Sequence, residues 1–326
     1  MSAGQTVKSE RIDSTERVHL GGVEQWISLR SDNPDNPILL FLHGGPGTAQ
    51  IFWSRKSQRS LEKDFIVVNW DQRGAGRSYH SNLDKAEMTI PRFVTDCEEL
   101  IEYLLKRFRQ ERIFLVGHSW GSILGIELAA QRPDLLWAYI GIGQVINMQR
   151  GEELSYVFTL EEAKRRDNKK AVRQLEAIGY PPYKNLRDAG VQRDWLSKFN
   201  GATYTGSLMG KMLENISPRD LRFGDIIKFI RGAIFSLSCL EDEQMKVDIS
   251  NEITELQVPV YFCSGRRDYN VPFELVAAYC EKLIAPKKRM VWFEQSAHVP
   301  NFEEPDKFCD FCSSVKSEIL SAEAAT

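Results

Sequence analysis

The sequence predicts an α/β protein: a mostly parallel central sheet flanked by helices, with a helical segment inserted after the sixth strand. Three observations carry that reading. Short apolar runs alternate with amphipathic stretches of helical period. The runs are almost uninterrupted in apolar residues, as expected for parallel strands covered on both faces. The alternation stops near residue 147 and resumes near residue 256.

Taken in chain order, residues 18–29 read as a hairpin turning at Gly21-Gly22. Strand-type runs follow at 38–42, 65–69, 113–116 and 137–142. Between the last three lie two helical patterns. Residues 93–108 put Phe93, Cys97, Leu100, Ile101, Leu104, Leu105 and Phe108 on one stripe, opened by Pro91. Residues 120–131 form the second and stop before Pro133. The interruption holds helical stretches at 152–166, 169–178, 193–199 and 220–237, punctuated by the Gly-Tyr-Pro-Pro-Tyr run at 179–183. Strands then return at 258–263 and 290–293, separated by a helix over 273–284 and followed by a final helix. One α/β domain is therefore expected from residues 1–146 and 256–326, interrupted by a helical cap of residues 147–255.

Composition narrows the function classes. Of 326 residues, 42% are hydrophobic and 27% charged, which excludes extended disorder. A net charge of −3 supplies no overall basic excess for a nucleic-acid backbone or an anionic membrane. The polar start MSAGQTVKSERIDSTER lacks the apolar stretch of a signal peptide, and no run has the length of a membrane span. A cytoplasmic protein acting on a small molecule or short peptide is expected, with no nucleic-acid or membrane partner and no stated oligomeric state. The six cysteines read as reduced thiols. Cys309 and Cys312 share a helix face with Phe308, Phe311, Val315 and Ile319, and no second ligand pair follows, so no metal is expected.

Chemistry is carried by three glycine-rich turns, each behind a strand. Gly117-His118-Ser119-Trp120-Gly121 lies between a strand and a helix, the context in which G-x-S-x-G places a serine on a sharp turn beside a helix N-terminus. His43-Gly44-Gly45-Pro46-Gly47 offers backbone N–H groups to a developing oxyanion, with Gly45 and Trp120 as the donors. In the third turn, 71–78, Gly74 and Gly76 begin a dinucleotide fingerprint that fails at Tyr79, and Gly206 to Lys211 lacks the P-loop spacing. No cofactor is expected. Asp71 and Arg73 read as an ion pair or loop brace.

A serine nucleophile needs a base and an orienting acid. Of five histidines only His298 follows Ser119, on the loop after the last strand. Asp268, in the loop after the preceding strand, is the acid, and Glu294 is the alternative.

These motifs, HGGPG at 43–47, DQRGAGRS at 71–78, GHSWGS at 117–122, the Asp268 loop and Ser-Ala-His at 296–298, resemble the α/β-hydrolase superfamily and, within it, the proline iminopeptidase group. The resemblance covers about residues 18–146 and 256–320. It implies the α/β-hydrolase fold, Ser119, Asp268 and His298 as a catalytic triad, and cap glutamates that receive a free amino terminus. Glu153 is the candidate for that last role, and Trp53 and Tyr156 are candidates for an apolar substrate pocket. His118 stands where that group commonly shows glycine. The function expected is a serine hydrolase of aminopeptidase type. The alternatives are a carboxylesterase or lactonase and a ligand-sensing protein with little turnover.

Overall fold

A computed structural model describes residues 11–324. Eight strands form one sheet in the order β1-β2-β4-β3-β5-β6-β7-β8. β1 (Ile12–Leu20) and β2 (Val23–Ser31) make the expected hairpin, and β2 runs antiparallel to β4 (Ile66–Asp71). β3 (Ile38–Leu42), β5 (Ile113–His118), β6 (Leu136–Ile142), β7 (Val260–Gly265) and β8 (Lys288–Phe293) complete the sheet with parallel pairings. Every residue of β3, β4 and β7 is buried, which is why these strands show no polar alternation.

The helices cover both faces. After the short α1 (Arg55–Gln58), α2 (Ile90–Phe108) is capped by Thr89, whose hydroxyl accepts from the Arg92 N–H. α2 and α3 (Trp120–Gln131) help build the larger core, in which Phe93, Leu100 and Leu104 meet Ile66, Val68 and Leu115. The opposite face packs Phe41, Phe114 and Val116 against Phe308 and Phe311 of the last helix.

Six helices occupy the stretch between β6 and β7: α4 (Met148–Arg165), α5 (Lys169–Ile178), α6 (Leu186–Lys198), α7 (Leu208–Asn215), α8 (Asp225–Gln244) and α9 (Ile249–Glu252). Then come α10 (Phe273–Lys282), α11 (Pro300–Glu303) and α12 (Pro305–Glu323). Several of the inserted helices depart from the expectation. α8 starts at Asp225 and runs to Gln244 in place of 220–237, and the short α9 was not expected. α6 begins seven residues before 193, and α7 was not expected either. Gly190 and Gly210 interrupt the helical pattern in these segments, and Asn185 and Ser207 supply N-caps that bond Asp188 N–H and Gly210 N–H. The insertion has a small core of its own, with Tyr156, Leu175, Trp195 and Phe199 at its centre. Its far end, Leu240, Val247 and Ile249, belongs to the main core.

Cys97, Cys263, Cys280, Cys309 and Cys312 are buried, and all six cysteines are free thiols. Burial pushes the Cys97 and Cys263 thiols well up from their ordinary value. No helix among the described residues is long and apolar enough to cross a membrane.

Phe114 is fully buried on the central strand and meets Phe65 edge to face at 5.6 Å. Phe114→Ala is expected to lower unfolding free energy by about 3–5 kcal/mol, read as a shift of the urea midpoint.

Candidate active site

The site forms where β3, β5, β6, β7 and β8 end. Ser119 joins β5 to α3 at φ 52° and ψ −120°, a backbone conformation that costs a non-glycine residue about 1–3 kcal/mol and persists only where its surroundings impose it. Here they do. The Ser119 N–H donates to Ile142 O at 2.9 Å, and the Ser122 hydroxyl donates to Ser119 O at 2.6 Å while accepting from Val145 N–H. Gly121 lets α3 press on the end of β3: a Cβ there would lie 2.3 Å from Leu42 O.

The loop at 43–47 is held beside this turn by a buried polar network. The Trp120 indole N–H donates to Gln72 Oε1 at 2.9 Å, and the Gln72 amide donates to His43 O at 3.1 Å. The Gln72 backbone N–H donates to His43 Nε2, so the ring proton sits on Nδ1 and is donated to Gly44 O at 2.8 Å. Burial drives the His43 pKa down to about 4, which keeps the ring neutral. Gly45 is exposed at the loop tip, and Trp120 is the first residue of α3, where an N–H has no intrahelical acceptor. Among the described residues neither N–H has a hydrogen-bond partner.

Asp268 and His298 meet across two loops. His298 Nδ1 lies 2.9 Å from Asp268 Oδ2, and Asp268 Oδ1 accepts from the N–H groups of Asn270 and Val271. Both side chains are buried. The loops touch so closely behind this pair that a Cβ on Gly265 would stand 2.1 Å from Ala297 O. Glu294, the alternative acid, is 64% exposed and pairs with Arg266. The Ser119 hydroxyl has no hydrogen-bond partner among the described residues.

Several residues have supporting roles that the sequence did not reveal. His118 Nε2 lies 3.0 Å from His298 O, and the two rings are 5.0 Å apart. Burial and the neighbouring His298 hold the His118 pKa down to about 3, so His118 is a neutral donor to that carbonyl. Glu303 accepts from Ala297 N–H and Tyr204 N–H, tying the His298 loop to the insertion. Tyr269 N–H and His298 N–H donate to Gly201 O and Ala202 O, and Phe158 stacks on Tyr269 at 3.7 Å. Of these, His118 and Tyr269 lie in or beside a motif, whereas Phe158, Gly201, Ala202 and Tyr204 lie in the insertion with no motif to mark them.

The three residues expected to touch substrate have other partners. Trp53 stacks on Phe302 at 4.4 Å and gives its indole N–H to Ala49 O. The Tyr156 hydroxyl donates to Leu175 O inside the core of the insertion. Glu153 is half-buried and paired with Arg150 at 2.6 Å. Asp71 and Arg73 do not pair with each other. Asp71 accepts from the N–H groups of Arg77 and Ile51, and burial raises its pKa to about 7. Arg73 instead forms a buried fork with Asp96. Each braces a loop, but with a partner farther along the chain.

A family model described as alpha/beta hydrolase fold matches residues 37–305. The chain is 35% identical over 297 residues to the probable aminopeptidase YbaC of Bacillus subtilis (strain 168), which spans 90% of this chain and 93% of that protein. It is 26% identical over 301 residues to the proline iminopeptidase of Heyndrickxia coagulans, covering 90% of this chain and 96% of the relative. The solved proline iminopeptidase of Mycobacterium smegmatis superposes with a TM-score of 0.66 at 18% identity, over 95% of this chain and 100% of the other. At that identity the likeness is one of fold.

The neutral histidines give the protein a pH signature. His43 has a folded pKa of about 4 against an ordinary value of 6.5, so below pH 6.5 the unfolded chain binds the extra proton. The stability this residue contributes is complete above pH 6.5 and is lost as pH falls toward about 4. Urea midpoints measured across that window should fall for the native chain, and less steeply for His43→Asn.

Proposed function

Since the chain belongs to the α/β-hydrolase fold family, we propose that it is a serine hydrolase that cleaves a small amide or peptide through an acyl-enzyme, acting as an aminopeptidase of proline iminopeptidase type. In this reading residues 147–255 form a cap on a catalytic domain made of residues 1–146 and 256–326. The observation that carries the mechanism is the 2.9 Å contact between His298 Nδ1 and Asp268 Oδ2, beside a serine held in a strained strand-to-helix turn.

The Asp268 carboxylate accepts a hydrogen bond from His298 Nδ1–H, which leaves the Nε2 lone pair free to act as base. His298 removes the Ser119 proton as the oxygen attacks the substrate carbonyl. Asp268 stabilises the imidazolium that forms. The unpartnered N–H groups of Gly45 and Trp120 receive the oxyanion; losing one such donor costs a serine hydrolase about 2.7–4 kcal/mol of transition-state stabilisation. His298 returns its proton to the leaving amine. Water, deprotonated by the same ring, then attacks the acyl-enzyme and releases the acid and Ser119.

A free amino terminus needs an anionic receiver, and the neighbour of the first candidate suits that role better. Glu152 is buried, and its Oε2 has no hydrogen-bond partner among the described residues, while Oε1 is paired with Arg193. Burial, Asp242 and Glu152 together raise the Glu241 pKa, a crowding of carboxylates that a substrate ammonium relieves. The start of α4 also lies against the Asp268 loop: a Cβ on Gly151 would stand 3.8 Å from Pro272 Cδ.

Two measurements test the reading. Rates on an N-terminal prolyl arylamide, its N-blocked analogue and a short acyl ester separate the alternatives. Cleavage only of the free-amine arylamide supports the peptidase, ester turnover alone points to an esterase, and no Ser119-dependent turnover points to a ligand sensor. Ser119→Ala is expected to lower kcat by on the order of 10⁶. Glu152→Gln should raise KM for the free-amine substrate roughly 10- to 100-fold, with a smaller effect on the blocked analogue.

A further inference from the structure

The surface of the insertion carries an apolar face that the proposed reaction does not use. Among the described residues, nine of the fourteen large hydrophobic side chains exposed to solvent fall between residues 208 and 237. Phe223, at the turn before α8, is fully exposed, and Ile226, Ile227, Ile230 and Ile234 follow it along one side of that helix. Leu213 on α7 is 60% exposed. Scattered exposed apolar residues are ordinary, but a contiguous face of this kind marks a contact surface.

The other side of α8 rests on the glycine loops of the site. The Ser236 hydroxyl donates to Gly74 O at 3.1 Å, and a Cβ on Gly47 would stand 2.8 Å from Ala233 Cα. The face therefore lies one helix diameter from the 43–47 loop. Its orientation is fixed, because Arg77 grips Asp225 at the first turn of α8 and Phe229 packs edge to face on Phe52.

Charge identifies the occupant. The whole chain is acidic by three charges, yet the charged side chains that reach solvent in this segment are Lys211, Arg219, Arg222, Lys228 and Arg231 against Glu214. Lys211 pairs with Glu214 and Arg219 with Asp13, which leaves Arg222, Lys228 and Arg231 as the local excess. The two aspartates here, Asp220 and Asp225, are buried and paired with arginines. A second copy docked face to face would bring two such basic sets together, which opposes self-pairing. Aliphatic side chains on a helix, flanked by arginine and lysine, are what an interfacial amphipathic helix presents to anionic lipid. The acidic end of α8, from Glu241 to Glu243, confines the contact to the earlier turns.

We propose that the exposed face of α8, led by Phe223 and Ile226 to Ile234, docks on an anionic lipid surface. Net charge had argued against any membrane partner, but a sum over the chain conceals this local basic excess.

The test uses the full chain carrying Ser119→Ala, so that the outcome is independent of any hydrolysis. The protein is sedimented with vesicles of phosphatidylcholine alone and of phosphatidylcholine with phosphatidylserine. Pelleting with the serine-lipid vesicles, weakened by salt, is expected. Ile227→Glu with Ile230→Glu should abolish it, and Arg222→Gln with Arg231→Gln should lower the partition coefficient about 30-fold. The far-ultraviolet circular dichroism and urea midpoint of each variant establish that it is folded. The proposal is overturned by no pelleting with either vesicle, or by pelleting that survives the isoleucine changes. It is equally overturned if sedimentation velocity shows a dimer that those changes dissociate while no lipid is bound.

Discussion

The structure of the site depends on one close approach: the first turn of α3 against the end of β3. Gly121 sits with its Cα where any side chain would collide with Leu42 O. That contact holds Ser119 in its positive-φ conformation and sets the 43–47 loop beside the serine, because β3 and β5 are direct neighbours in the sheet. The strain is of order 1–3 kcal/mol, small beside the burial of two strands and a helix whose apolar residues are almost all inaccessible to solvent. A similar approach repeats at Gly265, where the Asp268 and His298 loops meet.

Hydrogen-bond partners sort the three histidines that surround the serine. His43 and His118 have carbonyl partners, lie in desolvated positions and are held neutral, so they serve as hydrogen-bond donors that fix loops. His298 differs in having a carboxylate, Asp268, on its Nδ1. The division of labour arises from the partner each ring meets, since the side chains are chemically identical. His118 also accounts for its own presence at the elbow, where it reaches the backbone of His298 as a glycine would not.

Much of the core arrangement was legible in sequence. The strand runs were apolar throughout and the turns carried glycines, so the sheet, the serine turn and the loops bearing Asp268 and His298 could be placed from one-dimensional pattern. The insertion was less legible. Two of its helices, α6 and α7, are interrupted by Gly190 and Gly210, and several pack on one another, which blurs the single apolar stripe that periodicity detects. Aromatic residues were ambiguous because residue type does not separate core from pocket: Tyr156 fills the insertion's own core, and Trp53, outside the insertion, completes a cluster with Phe302 and Met212.

By itself the sequence determined the fold class, the position of the serine turn and the order in which acid and base candidates follow it, because local backbone geometry and strand burial are written in residue type and spacing. Tertiary structure alone decided the partners. It paired Arg73 with Asp96 instead of Asp71, joined Glu294 to Arg266, left a carboxylate oxygen of Glu152 unpaired while Glu153 took Arg150, and gathered a basic apolar face on an acidic chain. Hydrogen bonds and ion pairs form between groups that folding brings within about 3 Å, and sequence distance carries no record of that separation.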